Sequence, residues 1–102
     1  MNEIILSEIQ IIPMRPQNGL VAFASCTINN AFRVSSIAIY SAPLHHLGLG
    51  WRCVFPTKKL ASGKQVDCFF PINRDAEETV TRAIVDRYVE LMENFGNIES
   101  RG

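Results

Sequence analysis

The run Leu20-Val21-Ala22-Phe23-Ala24-Ser25-Cys26-Thr27-Ile28-Asn29-Asn30-Ala31-Phe32-Arg33-Val34-Ser35-Ser36-Ile37-Ala38-Ile39-Tyr40 decides the fold. Successive side chains of an extended chain point to opposite sides. Leu20, Ala22, Ala24, Cys26 and Ile28 therefore share one face, and Val21, Phe23, Ser25 and Thr27 the other. Asn29-Asn30 supplies two residues that tolerate positive φ, which suits a tight turn. From Ala31 to Tyr40 the alternation resumes, with Phe32, Val34, Ala38 and Tyr40 on one face and Arg33, Ser35, Ile37 and Ile39 on the other. Two alternating runs joined by a short turn read as an antiparallel pair.

Working outward, Ile4 to Ile12 is rich in β-branched residues and reads as a preceding strand, broken by Pro13, Pro16, Asn18 and Gly19. Asn18-Gly19 is a strong hairpin signal. Downstream, Ser41 to Gly50 reads as a loop and Trp51 to Phe55 as a short strand. Pro56 to Gln65 reads as a loop turning at Ser62-Gly63, and Val66 to Ile72 as the last strand. The period then changes. Val80, Ala83, Ile84, Tyr88, Leu91, Met92 and Phe95 recur at three- and four-residue spacing, which makes one apolar helical stripe. Asn73 or Asp75 caps it, Asp75, Glu77 and Glu78 fill its first turn, and Gly96 is placed to stop it. The expected fold is α+β: a five-stranded, mainly antiparallel sheet over residues 3–72, then one long C-terminal helix over about 74–95. A chain of 102 residues fits a single domain, 1–102.

Composition narrows the class. With 47% hydrophobic and 20% charged residues the chain is globular rather than disordered. Its longest uncharged stretch, Pro16 to Phe32, is interrupted by Gln17, Asn18, Asn29 and Asn30, so no membrane span is expected. The N-terminus lacks a basic start followed by an apolar block, so no secretion signal is expected. Cys26, Cys53 and Cys68 are widely spaced and odd in number, which fits reduced, buried thiols in a cytoplasmic protein.

Charge is the strongest functional signal. Between Glu8 and Asp67 lie 58 residues without a single acid, holding Arg15, Arg33, Arg52, Lys58, Lys59 and Lys64. The formal net charge of zero is thus a sum of unlike parts: +4 over residues 1–66 and −4 over residues 67–102. All three lysines fall in Pro56-Thr57-Lys58-Lys59-Leu60-Ala61-Ser62-Gly63-Lys64. Thr57 and Ser62 add hydroxyls there and Gly63 a backbone N–H, and these are the donors that phosphate contacts use. Lys58, Lys59 and Lys64 are the leading candidates for nucleic-acid phosphate, with Arg52 and Arg33 as secondary ones. The helix, with Asp75, Glu77, Glu78, Asp86, Glu90 and Glu93 against Arg82 and Arg87, would be repelled by phosphate.

Other chemistry finds little support. The Gly63-Lys64 pair lacks the spacing of a phosphate-binding P-loop. No nucleophile elbow, Gly-rich cofactor fingerprint or zinc-protease helix is present, so no enzyme, no cofactor and no small-molecule substrate are expected. His45-His46 are adjacent, and on an extended chain they would point apart with no third ligand, so no metal is expected. Trp51, Phe55, Phe69 and Phe70 read as core or contact residues, with one of Phe69 and Phe70 facing the helix and the other away.

The stretch from Phe32 to Asn73 resembles the SpoVG (stage V sporulation protein G, septation protein) family. Phe32-Arg33-Val34 with Ile37 and Ile39 is similar to a strand of that family. So are Phe55-Pro56-Thr57-Lys58-Lys59 to its basic segment, and Gly63-Lys64, Asp67 and Phe70-Pro71-Ile72-Asn73 to its ending before the helix. The resemblance covers about residues 3 to 95 as one SpoVG-like domain. It implies a small bacterial cytoplasmic regulator, a homodimer that binds DNA and RNA and acts in transcriptional regulation, sporulation, septation or cell division. The family's basic position falls on Thr57, Lys58 and Lys59. Ser41 to Gly50 is longer than in typical members, Ser35, Ser36 and Ala38 replace a charged alternation, and only Arg101 follows the helix. The competing reading is a non-enzymatic protein-interaction module. In that case the lysines are a solvated surface and Leu44, Leu47, Leu49 and Trp51 form an apolar patch.

Overall fold

The computed structural model describes residues 3–101, with side chains described through residue 95. Strands β1 (Leu6–Gln17), β2 (Leu20–Ile28), β3 (Phe32–Ser41) and β4 (Trp51–Val54) form one antiparallel sheet in the order β1-β2-β3-β4. Strands β5 (Thr57–Lys59) and β6 (Gln65–Asp67) pair separately as a two-stranded ribbon, and helix α1 (Arg74–Arg101) ends the chain. The class is α+β as expected. The strand count differs: four strands and a ribbon replace a single five-stranded sheet. The expected strand Val66–Ile72 shrinks to Gln65–Asp67, because Pro71 offers no N–H and the chain bends to bring Phe69 onto the core.

Turn chemistry places the first hairpin. Asn18 and Gly19 both have positive φ (53° and 89°), the conformation that a two-residue turn matched to strand twist requires. The prolines do not end β1. Pro13 stands opposite Ala22, and an edge strand tolerates a missing N–H. The second turn also uses positive φ, at Asn29 and Asn30. Asn29 clamps the N-terminal segment as well: its N–H donates to the Ile5 carbonyl (2.8 Å), and its Oδ1 accepts from the Ile5 N–H (2.7 Å).

Bulges shift the alternation read from the sequence. Cys26 pairs with Val34 but Ala24 pairs with Ile37, so β3 carries an extra residue where Ser36 has φ 61°. Val34, Ile37 and Ile39 all face inward, and Ala38 and Tyr40 face outward with Arg33. The expected grouping of Val34 with Ala38 and Tyr40 fails for this reason. A second shift, between Leu20 and Ala22, packs Val21 rather than Leu20 against the core.

One face of the sheet carries the core. Ala22, Ala24, Cys26, Val34, Ile37 and Ile39 pack against Val80, Ile84 and Tyr88 of α1. Trp51 meets the Tyr88 ring edge-on at 5.2 Å between centroids. The helix is capped by Asn73, whose Oδ1 accepts from the Ala76 N–H at 2.8 Å. Its buried positions are Val80, Thr81, Ile84, Val85 and Tyr88, whereas Met92 and Phe95 of the expected stripe are exposed. The helix also continues past Gly96, since a single glycine costs only about 1 kcal/mol and no proline follows it. Cys26 is buried and Cys53 lies beside the Thr81 hydroxyl, where burial pushes its thiol up to about 12. Cys68, expected to be buried, is exposed. No described helix is long and apolar enough to cross a membrane.

The register of α1 gives a direct test. Ile84→Ala is expected to lose about 2–5 kcal/mol in urea denaturation. Met92→Ala, on the outer part of the stripe, is expected to lose less than about 1 kcal/mol. Equal losses would mean that the helix seats on the face read from spacing alone.

Candidate nucleic-acid interface

The three lysines stand on the β5–β6 ribbon and its turn. Thr57, Lys58 and Lys59 pair with Asp67, Val66 and Gln65 in turn. The turn closes through Gly63 N–H to Leu60 O (2.9 Å) and Leu60 N–H to Lys64 O (2.8 Å). Gly63 has φ 90° and open space around its missing Cβ, so glycine is needed there for conformation rather than for room. Its N–H is spent on that turn and is not free for a ligand. The Ser62 hydroxyl faces the Lys64 N–H at 3.5 Å.

Below the ribbon, the Cys68 N–H donates to the Pro56 carbonyl at 3.0 Å, extending the pairing by one rung. Phe55 and Phe69 then meet at 5.8 Å between ring centroids and pack against the core. This aromatic pair anchors both stems, so the ribbon projects from the body with all six of its strand residues exposed. Phe69 faces the core and Phe70 is exposed, as expected, although here the chain bends after β6 rather than running on as a strand.

The ribbon does not gather the lysines on one face. Strand alternation puts Lys58 with Val66 on one side, and Lys59 with Thr57, Gln65 and Asp67 on the other. Lys64 sits at the base of the turn. Among the described residues none of the three makes an ion pair, although Asp67 lies directly across from Thr57.

The secondary candidates are arranged differently. Arg52 lies on the outer face of the sheet with its guanidinium 4.7 Å from the Tyr40 ring centroid, a cation–π contact that leaves its edge in water. Arg33 is at the other end of the same face. Six residues of strand lie between it and Tyr40, a span of roughly 20 Å. Its guanidinium is engaged, donating to Glu8 O (2.8 Å), Thr27 Oγ1 (3.0 Å), Gln10 Oε1 (3.0 Å) and Ser25 Oγ (2.9 Å). Arg33 therefore ties β1, β2 and β3 together across the outer face, and the structure does not bring it together with Arg52.

The rest of that outer face is apolar. Ile12, Phe23, Ala38 and Val54 stand in one cross-strand row, and Ile12 and Phe23 are exposed. Residue order alone does not display this row, because the Ser36 bulge is what moves Ala38 and Tyr40 onto it. Trp51, at the start of β4, packs on Tyr88, and in the β3–β4 loop Leu47 and Leu49 are partly buried, which leaves Leu44 as the exposed leucine of that loop. Acidic residues dominate the exposed side of α1, where Glu78 holds Arg82 at 2.8 Å and Glu90 holds Arg87 at 3.3 Å.

Comparison with known proteins bears on the family. The SpoVG family profile matches residues 4–90. The chain is also similar to a protein of Caldanaerobacter subterraneus subsp. tengcongensis that carries the name septation protein SpoVG. The two are 24% identical over 94 residues, covering 92% of this chain and 98% of that one.

The contrast between Arg33 and the lysines is measurable without any ligand. Arg33→Ala is expected to cost roughly 1–2 kcal/mol of stability, because its charged hydrogen bonds disappear. Lys59→Ala is expected to stay within about 0.5 kcal/mol. An unchanged denaturation midpoint for Arg33→Ala would show that the network contributes nothing.

Proposed function

The chain belongs to the SpoVG family, and from that premise we propose that it is a cytoplasmic, non-enzymatic regulator that binds nucleic acid through the β5–β6 ribbon. The observation that carries this reading is three ammonium groups, unpaired among the described residues, on a projecting ribbon that bears a single carboxylate, Asp67, while most of the carboxylates lie on α1. Such a cluster repels itself, and a polyanion relieves the repulsion while releasing its own counterions. A role in septation or sporulation control follows from the family and from the relative's name.

Lysines on both faces of a ribbon suit insertion better than lying flat. A two-stranded ribbon fits the major groove of B-form DNA, where phosphates flank it on both sides. In A-form RNA the corresponding groove is too narrow. The geometry therefore favours duplex DNA, with Lys58 and Lys59 meeting opposite backbones and Lys64 at the tip.

The protein acts as a homodimer in this reading. The row Ile12, Phe23, Ala38 and Val54 is uncharged, and Ile12 and Phe23 on it are exposed. A second copy is its natural occupant, since two-fold pairing sets the same uncharged row against itself and two copies of the ribbon would then share one duplex.

Fluorescence anisotropy with duplex DNA at several salt concentrations tests the site. Wild-type affinity is expected to fall with salt, and the triple variant K58A/K59A/K64A to bind all sequences more weakly. Its slope against log salt should drop by about 0.9 for each phosphate that the lysines no longer neutralise. Unchanged binding by that variant removes the assignment. Sedimentation equilibrium tests the assembly. The wild type is expected at twice the monomer mass and Phe23→Asp at the monomer mass with its circular dichroism retained. A monomeric wild type refutes the dimer.

A further inference from the structure

We propose that His45, His46 and Glu77 form a binding site for a divalent transition-metal ion of the zinc class. The residues play no part in the ribbon. They come from the β3–β4 loop and the first turns of α1, and their ligand atoms all lie within 4.8 Å of one another. His46 Nε2 is 2.9 Å from Glu77 Oε1. The two imidazoles face each other at 4.0 Å between centroids with their planes 39° apart.

Adjacent histidines share a side here because the loop is turned rather than extended. The His45 N–H donates to the Ala42 carbonyl (3.1 Å) and the Gly48 N–H to the His45 carbonyl (2.9 Å). This double bend removes the alternation that would send the rings apart. The Arg74 guanidinium donates to the His46 carbonyl at 3.4 Å, which holds the loop against the helix start. The Glu77 side chain is 28% exposed and His46 is 55% exposed, so the carboxylate is partly shielded while the site stays open to solvent.

Two neutral imidazoles and a carboxylate are a zinc-type donor set, with the fourth position left to water. Nitrogen donors favour zinc, copper or nickel over magnesium and calcium, which prefer all-oxygen shells. Metal bonds of about 2.0–2.2 Å put tetrahedral donors roughly 3.4 Å apart. The His46–Glu77 pair is already near that separation, and a modest rotation of the His45 ring closes the rest. The Leu47 N–H contact to His45 Nδ1, long at 3.5 Å, would give way in either case: Nδ1 binds the ion itself, or it carries the ring proton while Nε2 binds. The helix N-terminus and Arg74 both oppose a cation, so Glu77 supplies the compensating charge. A bound ion would staple the loop to α1.

The test uses the full chain with Cys68→Ser, so that the exposed thiol does not compete. Cobalt(II) is the absorbance probe, with zinc as competitor. One equivalent is expected to saturate the protein, giving tetrahedral ligand-field bands without thiolate charge transfer. His45→Ala, His46→Ala and Glu77→Gln should each weaken binding by at least about tenfold, since even outer-shell partners of a metal cost 10–100-fold. Glu77→Gln keeps the hydrogen bond to His46, so its weaker affinity reports charge and coordination rather than misfolding. Zinc should raise Tm for the parent and not for His46→Ala or Glu77→Gln. Absence of saturable binding, or affinity unchanged in all three variants, overturns the proposal.

Discussion

The packing of α1 across one face of the sheet, against β1 and β4 at its edges, governs the rest of the molecule. Ala22, Ala24 and Cys26 are small and almost wholly covered, and they let Val80, Ile84 and Tyr88 reach the sheet. Each such large side chain contributes about 1.5–3 kcal/mol when fully buried. The helix seam alone is thus of the same order as the whole stability of a small domain, about 5–15 kcal/mol. Once α1 occupies that face, three consequences follow. The opposite face of the sheet is left uncovered. The acidic side of the helix points to water. The connection between β4 and α1 must leave the body and return, and Phe55 and Phe69 pin it where it does so.

Much of this is legible in residue order, and the failures share a cause. The strands β1 to β4, the Asn18-Gly19 turn, the helix and the inward face of β2 from Ala22 to Ile28 all rest on local periodicity, which a sequence displays directly, whereas β5, at Thr57–Lys59, falls where a loop is expected. The faces of β3 do not follow simple alternation because one extra residue at Ser36 reverses the phase for everything after it, and serine carries no mark of a bulge. The helix stripe is displaced because Thr81 and Val85 are buried by tertiary packing while Met92 and Phe95 extend beyond the sheet. The lysines are visible as a charge pattern, but their division between two faces depends on the Lys58–Val66 register. Arg33 looks like a free cation in the sequence, and only the approach of β1 to β3 across Thr27 and Ser25 reveals its engagement. The nearness of His45 and His46 to Glu77 crosses a separation of about thirty residues, and no spacing rule could announce it.

The formal neutrality of the chain is a poor guide to its surface. Ionic strength near the physiological value screens exposed charges beyond roughly 8 Å, so a binding partner senses local groups and not the total. The ribbon, with three lysines and Asp67, presents net +2 over residues 57–67. The exposed side of α1 presents carboxylates, two of them neutralised in part by arginines one turn away. Opposite signs on different elements give the molecule an electrostatic direction, which in the proposed role would turn a polyanion away from the helix side and toward the ribbon.

The ribbon's own weakness completes the picture. Two strands of three residues each are marginal without further packing. What holds them is the aromatic pair at the stem and the glycine turn at the tip, and neither restrains the lysine side chains. A rigid array of ammonium groups would fit one spacing of phosphates. Flexible lysine stems on an anchored but lightly held ribbon adapt to many, at the cost of reading little sequence. In the proposed role, such a device would position the protein on a polyanion through backbone contacts, and any discrimination among sequences would have to come from groups other than the lysines, such as the exposed Thr57, Gln65 and Val66 beside them.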